Sequence, residues 1–310
     1  MSRPLTLPIP IVLFAYARPQ MLQHTLECLR TNQVPLIYAF SDGTRTPDKE
    51  QAVQEVRQAL RAVGWCDMRL TERDRNYGLG VSIRAGVAEV LKRHESVIVF
   101  EDDLICVPGT YAYLAAALNH YRDDPRVMSV TGWTHPRVVP SSVQEQPYFD
   151  GRAECLAWGT WAGVWLGMDR DAKTLLRACR RRGIDVYRYG ADLVHQAEEE
   201  RQRNIWAVRF LYLHILERGL CLRPPHSLVE HIGVDSNATN AAGVWSAWTN
   251  PPLQPAPAIP ATWPVPAENE ECSRLWQMAY GRKPSIFRRG ARYARRQLVA
   301  LRQQIAGARR

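Results

Sequence analysis

Short apolar runs alternate with amphipathic segments along the first part of the chain. Apolar runs at residues 10–16, 35–40, 67–70 and 96–100 predict strands, and residues 20–30, 46–63 and 81–93 predict the helices between them. Leu22, Leu26 and Leu29 illustrate the helical spacing. Strands that alternate with helices at short intervals are typical of a parallel sheet with crossover helices. The pattern therefore predicts an α/β fold with a mostly parallel, Rossmann-type sheet flanked by helices.

The later part of the chain is less regular. Helices are predicted at residues 110–121, 170–182 and 268–280, a strand at 126–132, a loop at 136–147, and one long helix or two at 191–218. A proline-rich stretch at 250–266 has the composition of a linker. The sequence has no internal repeat, no GxGxxG after the first strand and no GxxxxGK[ST], which leaves a dinucleotide fingerprint and a P-loop unsupported.

Three adjacent acids end the predicted strand at 96–100. Glu101, Asp102 and Asp103 repel one another, so the arrangement is costly unless a cation is nearby. Ligands of open α/β sheets bind at the carboxyl ends of strands, and Mg²⁺ commonly takes one or two carboxylates together with phosphate oxygens and water. The alternative is that these acids are solvated or cap the next helix.

Polar residues follow the other predicted strands at the same rim. They are Arg18, Asp42, Arg73, Asn76 and Arg84. A nucleoside diphosphate needs such a mixture, because a carboxylate can accept a base N–H and an arginine offers a planar donor fork to phosphate. Taken singly, Asp42 is as well explained as a turn residue and Arg84 as a solvated helix residue.

Several motifs together resemble those of inverting glycosyltransferases with the GT-A fold, nearest the N-acetylglucosaminyltransferase I type and its bacterial relatives. The motifs are FAYARP, SDG, NYGLGVSIRAGV and VIVFEDDLICVPGTYAYL, within a resemblance that spans about residues 9–240. The resemblance implies that Asp103 binds Mn²⁺ or Mg²⁺ on the donor diphosphate, and that Glu101 and Asp102 orient the ribose or the donor sugar. It implies donor contacts for Asp42, with Phe14, Tyr16 and Arg18 beside it, and more weakly for Asn76, Leu79 and Arg84.

The same resemblance predicts an acceptor side. Trp158 and Trp161 lie in a segment similar to the family's WGWATW stretch, and Trp206 and Arg209 lie in one similar to a helix start of the family; ordinary core tryptophans are the alternative. Some members carry the general base directly after the latter tryptophan, where this chain has Ala207. Glu154, Asp192 and Asp235 are the candidate bases, with Glu154 first. SLVEHIGVD resembles the family's SLV-x-NIG-x-D segment, which is followed in the relatives by a glycine-rich loop that closes over the donor. His231 in this segment is a second candidate metal ligand, although a structural histidine is more common.

Composition limits the remaining possibilities. Seven cysteines, an odd number without a CxxC, argue against a disulfide framework or a zinc site and favour a reducing cytosol. No apolar run is long enough to cross a membrane, and the apolar stretch near the N-terminus is interpreted as a strand rather than a signal peptide. We therefore expect a cytoplasmic protein, peripheral on the inner face of the membrane if it binds one.

The basic character belongs to the C-terminal segment. The net charge is +9, but residues 281–310 hold ten arginines and lysines and no acid. Their apolar residues interleave with the arginines, which suits an amphipathic helix on an anionic membrane; a solvated tail is the alternative. The rest of the chain has no nucleic-acid motif, so nucleic acid is not an expected partner. The predicted division is a GT-A-like domain at 1–280, with a nucleotide-binding part at about 1–105 and an acceptor part at about 106–250, followed by this tail.

The hypothesis is a metal-dependent transfer of a sugar from a nucleotide-sugar donor, most simply UDP-linked, to a hydroxyl of a glycan or glycolipid acceptor. Inversion at the anomeric carbon is implied by the resemblance alone. A sugar-nucleotide nucleotidyltransferase is one alternative, but it would want a glycine-rich basic loop after the first strand, and residues 14–19 contain no glycine. A non-catalytic nucleotide-binding module at a membrane surface is the other, which Ala207 keeps open.

Overall fold

Strands and helices alternate along the chain in the computed structural model, which describes residues 8–143, 145–203, 205–233 and 252–282. The strands are β1 Ile11–Ala15, β2 Leu36–Ser41, β3 Asp67–Glu72, β4 Ser96–Glu101, β5 Leu104–Cys106, β6 Val127–Thr131, β7 Tyr148–Asp150, β8 Trp158–Trp161, β9 Leu220–Arg223 and β10 Val229–His231. The helices are α1 Pro19–Thr31, α2 Glu50–Arg61, α3 Leu79–Val90, α4 Thr110–Tyr121, α5 Ala162–Trp165, α6 Ala172–Arg181, α7 Asp192–Arg203, α8 Ala207–Glu217 and α9 Glu270–Tyr280.

Eight of these strands form one sheet in the order β3-β2-β1-β4-β8-β6-β9-β7, and β5 pairs with β10 beside it. Strands β3, β2, β1 and β4 are parallel neighbours, as are β6 and β9, whereas β8 and β7 run against their neighbours. The predicted α/β class with a mostly parallel central sheet flanked by helices is confirmed.

The central strands are apolar throughout because both faces of the sheet are covered. Every residue of β1 is buried. Val12 and Phe14 join the hydrophobic core on one face, and Ile11 and Leu13 join the core on the other. Helix α1 starts with Pro19, whose fixed φ suits a first helical turn.

Strand β1 lies at a switch point in the topology. The chain passes from β1 to β2 and β3 on one side and then crosses to β4 on the other side of β1. Ala15 is opposite Ser41 in β2, and Phe14 is opposite Glu101 in β4. The residues that follow these three strands therefore emerge along one edge of the sheet, where ligands of open α/β sheets bind.

The structure contains short strands, in the large sheet and in the β5–β10 pair, that the sequence did not predict. Strands β5, β7, β8, β9 and β10 have three or four residues each and were not predicted as strands. Such short strands carry too little periodicity to be recognised, and their partners are remote in sequence. The helix predicted at 46–63 is a 3₁₀ turn at Pro47–Lys49 followed by α2. The long segment at 191–218 is two helices, α7 and α8.

The predicted nucleotide-binding and acceptor parts share the large sheet, because β4 pairs directly with β8. The basic tail lies outside the described residues from 283 onward, so its amphipathic helix and its membrane contact stay predictions. In the ranges that the structure describes, no helix has both the length and the apolarity needed to cross a membrane.

A buried ion pair fixes the far end of the sheet. Arg223 in β9 and Asp150 in β7 are each 0% exposed, and Arg223 Nε donates to Asp150 Oδ2 over 3.0 Å. Trp276 Nε1 of α9 donates to the same oxygen over 2.8 Å, and the backbone N–H of Arg152 donates to Oδ1 over 2.9 Å. One carboxylate thus ties two strands, a loop and a helix together.

We expect Asp150→Asn to destabilise the fold by about 3–5 kcal/mol, because it leaves the Arg223 charge buried without a counter-ion. The free energy of unfolding in urea measures this effect. Asp124→Asn is the control, because Asp124 also binds an arginine, Arg126, over 2.6 Å but at the surface, where such pairs contribute little. Equal unfolding midpoints for the two variants would contradict the prediction.

Candidate functional site

Asp102 and Asp103 follow β4 directly, in the turn that leads into β5, and both are largely buried. The backbone N–H of Tyr16, which follows β1, donates to Asp102 Oδ2 over 2.7 Å. This contact crosses the switch point between β1 and β4. Adjacent parallel strands thus bring residues 86 positions apart into one cluster.

The side chains of Arg18 and His231 converge on Asp103. Arg18 Nη1 donates to Asp103 Oδ2 over 2.6 Å, and His231 Nε2 lies 3.2 Å from the same oxygen. The backbone N–H of Ile232 donates to the carbonyl of Asp103 over 2.8 Å. The other carboxylate oxygen, Oδ1, is buried and accepts no hydrogen bond from the described residues. That atom is available to a further ligand, such as a metal ion.

Gly233 covers this cluster at very close range. A Cβ atom at this position would lie 2.3 Å from Asp103 Oδ2 and 2.6 Å from Arg18 Nη1. No side chain fits there without displacing the Arg18–Asp103 pair. Gly233 lies in the SLVEHIGVD segment, of which the sequence pointed only to His231 as a site residue.

The acids differ in their readiness to ionise. Burial, with the neighbouring Asp103 charge, raises the pKa of both Glu101 and Asp102 to about 8. Burial also opposes ionisation of Asp103, but the hydrogen bond and charge of His231, together with Arg18, lower its pKa below the usual value. In the absence of any further cation, Asp103 is therefore the ionised member of the triplet at neutral pH.

The residues present fit a metal ion only if a ligand completes its coordination. The described part of the chain contains no group of three His, Cys, Asp or Glu side chains that could hold a metal ion by themselves. Asp103 and His231 offer a carboxylate and an imidazole. A hard divalent cation with one or two protein ligands fills its other positions with phosphate oxygens and water.

Asp42 follows β2 at the same edge and is only 5% exposed. Its Oδ1 accepts hydrogen bonds from Arg73 Nη1 at 2.9 Å and Ser82 Oγ at 3.1 Å. Its Oδ2 accepts from the backbone N–H groups of Tyr77 at 2.8 Å and Gly78 at 3.0 Å. A carboxylate has about four lone-pair sites, and these donors fill them. Asp42 therefore shapes the wall of the edge, and its nucleobase contact stays a prediction.

The turn before α3, at residues 76–78, forms this wall together with the ring of Tyr77. The Arg73 guanidinium lies 4.7 Å from the ring centroid of Tyr77, and Asn76 Nδ2 donates to the carbonyl of Gly43 over 3.3 Å. Tyr16 links the wall to the acids, because its hydroxyl accepts the backbone N–H of Arg45 over 3.0 Å. Tyr77 thus lines the edge with a partly exposed phenol, whereas the Arg73 guanidinium is buried and held by Asp42.

The remaining predicted donor residues lie behind this edge. Phe14 is buried and stacks on Phe40 at 5.5 Å, so it packs the core beneath the site. Leu79 starts α3 and packs partly against the same core. Arg84, further along α3, has its pKa lowered by burial and by the charge of Arg209.

Glu154 lies in the segment before β8, where the charges of the buried Arg223–Asp150 pair act on its carboxylate. Strand β8 runs against β4, with Trp158 opposite Val99, so the residues before β8 lie toward the acid end of β4. After burial, the charges of Glu154 and Glu101 both contribute to raising the pKa of the Cys155 thiol, as expected if both carboxylates are near it. Burial also raises the pKa of Glu154.

The other two candidate bases are placed differently. Asp192 accepts two hydrogen bonds from the guanidinium of Arg152, at 3.1 and 2.8 Å. That bidentate pair commits Asp192 to a structural contact with the loop after β7. Asp235 lies outside the described residues.

The predicted acceptor residues do not gather at the acid edge. Trp158 is 1% exposed and packs against Trp206 at 5.4 Å, within the hydrophobic core, which leaves neither indole a face for a sugar. Trp161 is opposite Ser96, at the end of β4 remote from Asp103. Arg209 forms a short ion pair with the buried Glu200. Trp158 and Trp206 are therefore ordinary core tryptophans, which was the alternative to an acceptor-binding role.

Ser82 and the backbone N–H of Tyr16 also belong to the site and were missed. Ser82 Oγ contacts both Asp42 and Arg73. No local signal marks either group, because a serine in a helix and a backbone amide look the same in any sequence. Only the spatial neighbourhood of the strand ends identifies them.

No protein-family model and no curated protein sequence matches the chain. Among solved structures, one similar chain is the mannosyltransferase PcManGT from Pyrobaculum calidifontis in complex with GDP-Man and Mn²⁺, at 14% identity and a TM-score of 0.37, covering 52% of this chain and 46% of that one. Another is GalNAc-T7 with UDP, GalNAc and Mn²⁺, at 13% identity and a TM-score of 0.43, covering 73% and 44%. A third is a UDP-glucose pyrophosphorylase complexed with UDP-glucose, at 16% identity and a TM-score of 0.27, covering 48% and 64%.

The chain therefore spans less than half the length of the two transferases that it matches. At TM-scores below 0.5, these likenesses carry no conclusion about function. The function proposed below depends on the geometry of the acid edge.

The metal-free protein should lose stability as the pH rises from about 5 to 8. Free Asp and Glu have pKa values near 4, whereas Glu101 and Asp102 have values of about 8 in the fold. Between these values the folded chain binds more protons than the unfolded chain, so the free energy of unfolding falls as the pH rises. Asp102→Asn removes one such group and should flatten the slope, measured by urea unfolding in EDTA.

Asp123→Asn is the matched control for this pH series, because the Asp123 side chain is 90% exposed. Its slope should equal that of the unmodified protein. An Asp102→Asn slope equal to that of the control would show that the raised pKa of Asp102 does not contribute to stability.

Proposed function

We propose that this chain is a metal-dependent glycosyltransferase that moves a sugar from a nucleotide-sugar donor to an acceptor hydroxyl. The observation that carries the proposal is the meeting of Asp102, Asp103 and Arg18 at the switch point of the sheet, with the Asp42 wall on the neighbouring strand. A nucleoside diphosphate presents a planar base, ribose hydroxyls and two charged phosphates. An edge with an aromatic wall, carboxylates and arginines offers partners for each.

Asp103 and His231 would hold the divalent ion, Mn²⁺ or Mg²⁺. The open Oδ1 of Asp103 and its lowered pKa support this role, because a metal ligand must be ionised. When bound, the ion would supply Lewis-acid stabilisation of the charge that develops on the leaving diphosphate.

Arg18 would serve two partners in turn. In this structure its guanidinium donates to Asp103 Oδ2 over 2.6 Å, so it neutralises the acid that would bind the metal. A cation at Asp103 removes the attraction that holds Arg18 there. The released guanidinium would then donate its planar fork to the donor phosphates, a geometry that arginine is suited to.

Asp102 and Glu101 would orient the ribose or the donor sugar through hydrogen bonds to hydroxyl groups. Asp102 is held in place by the backbone N–H of Tyr16, so its second oxygen can serve a ligand. With a divalent ion nearby, the pKa values of both acids should fall, and both would act as hydrogen-bond acceptors.

Glu154 would be the general base that deprotonates the acceptor hydroxyl. Its segment lies toward the acid end of β4, and burial raises its pKa, which is the direction that strengthens a carboxylate base. The carboxylate of Asp192 is engaged by Arg152 instead. The donor base, most simply uracil, inversion at the anomeric carbon and a glycan or glycolipid acceptor are parts of the same proposal.

Asp103→Asn should abolish the Mn²⁺-dependent thermal shift produced by nucleoside diphosphates and nucleotide sugars. It should also remove UDP release from a UDP-sugar, because the amide cannot supply the ionised ligand. Thermal-shift assays across a nucleotide panel, together with a UDP-release assay, measure both effects. Asp123→Asn is the control of equal charge change, since its side chain is 90% exposed.

The same assays separate the alternatives. A nucleotidyltransferase would form or consume pyrophosphate with a sugar phosphate, and a pure binding module would show the thermal shift without releasing UDP. A full Mn²⁺-dependent shift in Asp103→Asn would overturn the metal assignment.

Arg18→Ala should increase the affinity for Mn²⁺ in the absence of nucleotide by about tenfold or more, because the positive charge of Arg18 at Asp103 Oδ2 no longer opposes a cation at Oδ1 of the same carboxylate. A hydrogen bond to a charged group contributes about 1.5–3 kcal/mol, which corresponds to about 10- to 100-fold in affinity. The affinity for a nucleoside diphosphate with Mn²⁺ should fall instead. Electron paramagnetic resonance of Mn²⁺ and calorimetry measure the two quantities. Arg30→Ala, at an exposed position of α1, is the control. Unchanged Mn²⁺ affinity in Arg18→Ala would exclude the competition.

A further inference from the structure

Two cysteines that are remote in sequence lie side by side behind the acid edge. Cys28 is in α1 and Cys106 is the last residue of β5, 78 positions later. Their sulfur atoms are 3.4 Å apart, and the Cys106 thiol donates to Cys28 Sγ. The sequence, with an odd number of cysteines and no CxxC motif, predicts free thiols and indicates no pairing between any two of the seven.

A rigid frame holds this pair. Asn32, next to the end of α1, donates from Nδ2 to the carbonyl of Cys28 over 2.8 Å and to the carbonyl of Val107 over 3.1 Å. Its Oδ1 accepts the backbone N–H of Tyr111, in α4, over 3.1 Å. Asn32 Nδ2 also lies 3.4 Å from Cys106 Sγ. The end of α1 is therefore fixed against the segment that joins β5 to α4, with the two sulfurs between them.

The two thiols have complementary positions. Cys28 is half-buried and Cys106 is buried, so an oxidant reaches Cys28 first. The hydrogen bond from Cys106 lowers the pKa of Cys28, whereas the same bond and burial raise the pKa of Cys106. The thiolate is the reactive form of cysteine, and an accessible thiolate beside a second thiol is the usual arrangement of a reversible redox pair.

We propose that Cys28 and Cys106 are a redox modification site that forms a reversible disulfide on exposure to a peroxide. The Cys28 thiolate attacks one peroxide oxygen, the O–O bond breaks, and a sulfenic acid and a hydroxide form; the hydroxide takes up the proton that the Cys28 thiol released and becomes the first water. The Cys106 sulfur then attacks Cys28 Sγ, the S–O bond breaks, and the oxygen leaves as a second water with the thiol proton. Two thiols thus supply two electrons, and one hydrogen peroxide becomes two waters.

Little movement is needed for the bond. A disulfide has an S–S length of about 2.0 Å, so the sulfurs must approach by about 1.4 Å, which rotation of the two side chains can supply. The cross-link would close a loop of 78 residues and so restrict the unfolded chain. It would also join α1, which starts beside Arg18, to β5, which follows Asp103. The proposal is independent of the reaction proposed above.

The test uses the full chain, treated with hydrogen peroxide and then denatured. Free thiols should fall from seven to five, and dithiothreitol should restore them. A non-reducing peptide map should contain one linked pair, Cys28 with Cys106. The thermal unfolding midpoint of the oxidised protein should rise by several degrees.

Three variants sharpen this test. Cys66→Ser is the matched control, because Cys66 is also half-buried, and it should fall from six thiols to four. Cys28→Ser and Cys106→Ser should form no linked pair. The proposal is overturned if the unmodified protein keeps seven thiols at a peroxide dose that oxidises free glutathione, or if its map shows a different pair. Because the readout needs neither nucleotide nor metal, its failure leaves the proposed function untouched, and the reverse also holds.

Discussion

Three carboxylates at the end of a buried strand are the constraint around which the rest of the structure is arranged. Adjacent negative charges in a poorly solvated place are unfavourable unless donors or cations compensate for them. Here the compensation comes from other parts of the chain: the backbone N–H of Tyr16 for Asp102, and Arg18 and His231 for Asp103. Tyr16 and Arg18 lie in the turn between β1 and α1, and His231 is the last residue of β10. The acids therefore hold two segments in place, and those segments form the edge at which a charged ligand would bind.

Buried carboxylates occur in both halves of the sheet, but they differ in how many hydrogen bonds they accept. In the parallel half, polar groups lie at strand ends, and one of them, Oδ1 of Asp103, accepts no hydrogen bond from the described residues. In the other half, Asp150 is saturated by Arg223, Trp276 and a backbone N–H, far inside the protein. A saturated buried ion pair fixes geometry, whereas an incompletely saturated carboxylate can still accept a ligand. That difference in satisfaction, rather than residue type, separates the scaffold from the candidate site.

The number of hydrogen bonds that Asp42 accepts gives it a structural role in addition to its predicted one. Its position at the same edge as the acid triplet agrees with the predicted donor edge, and its four hydrogen bonds fix it in the wall, while its nucleobase contact stays a prediction. Trp158 shows the reverse problem. An indole beside glycines suggests a sugar platform, yet β8 is an interior strand, so its large side chain fills the core. Asn32 and the Cys28–Cys106 pair connect the end of α1 to β5, and no local residue pattern predicts this contact.

The sequence by itself determined the parallel half of this protein. Strands β1 to β4, helices α1 to α4 and the acid edge follow from local periodicity, because each crossover unit is continuous in the chain and the carboxyl ends of parallel strands meet at one edge. Tertiary structure alone decided the rest: the short antiparallel strands, the saturation of Asp42, the burial of Trp158, the closeness of Gly233 to Asp103 and the contact between two cysteines. Most of these depend on partners remote in the chain, such as Arg73, 31 positions after Asp42, or the second thiol, 78 positions after the first, and local residue patterns carry no information about such contacts.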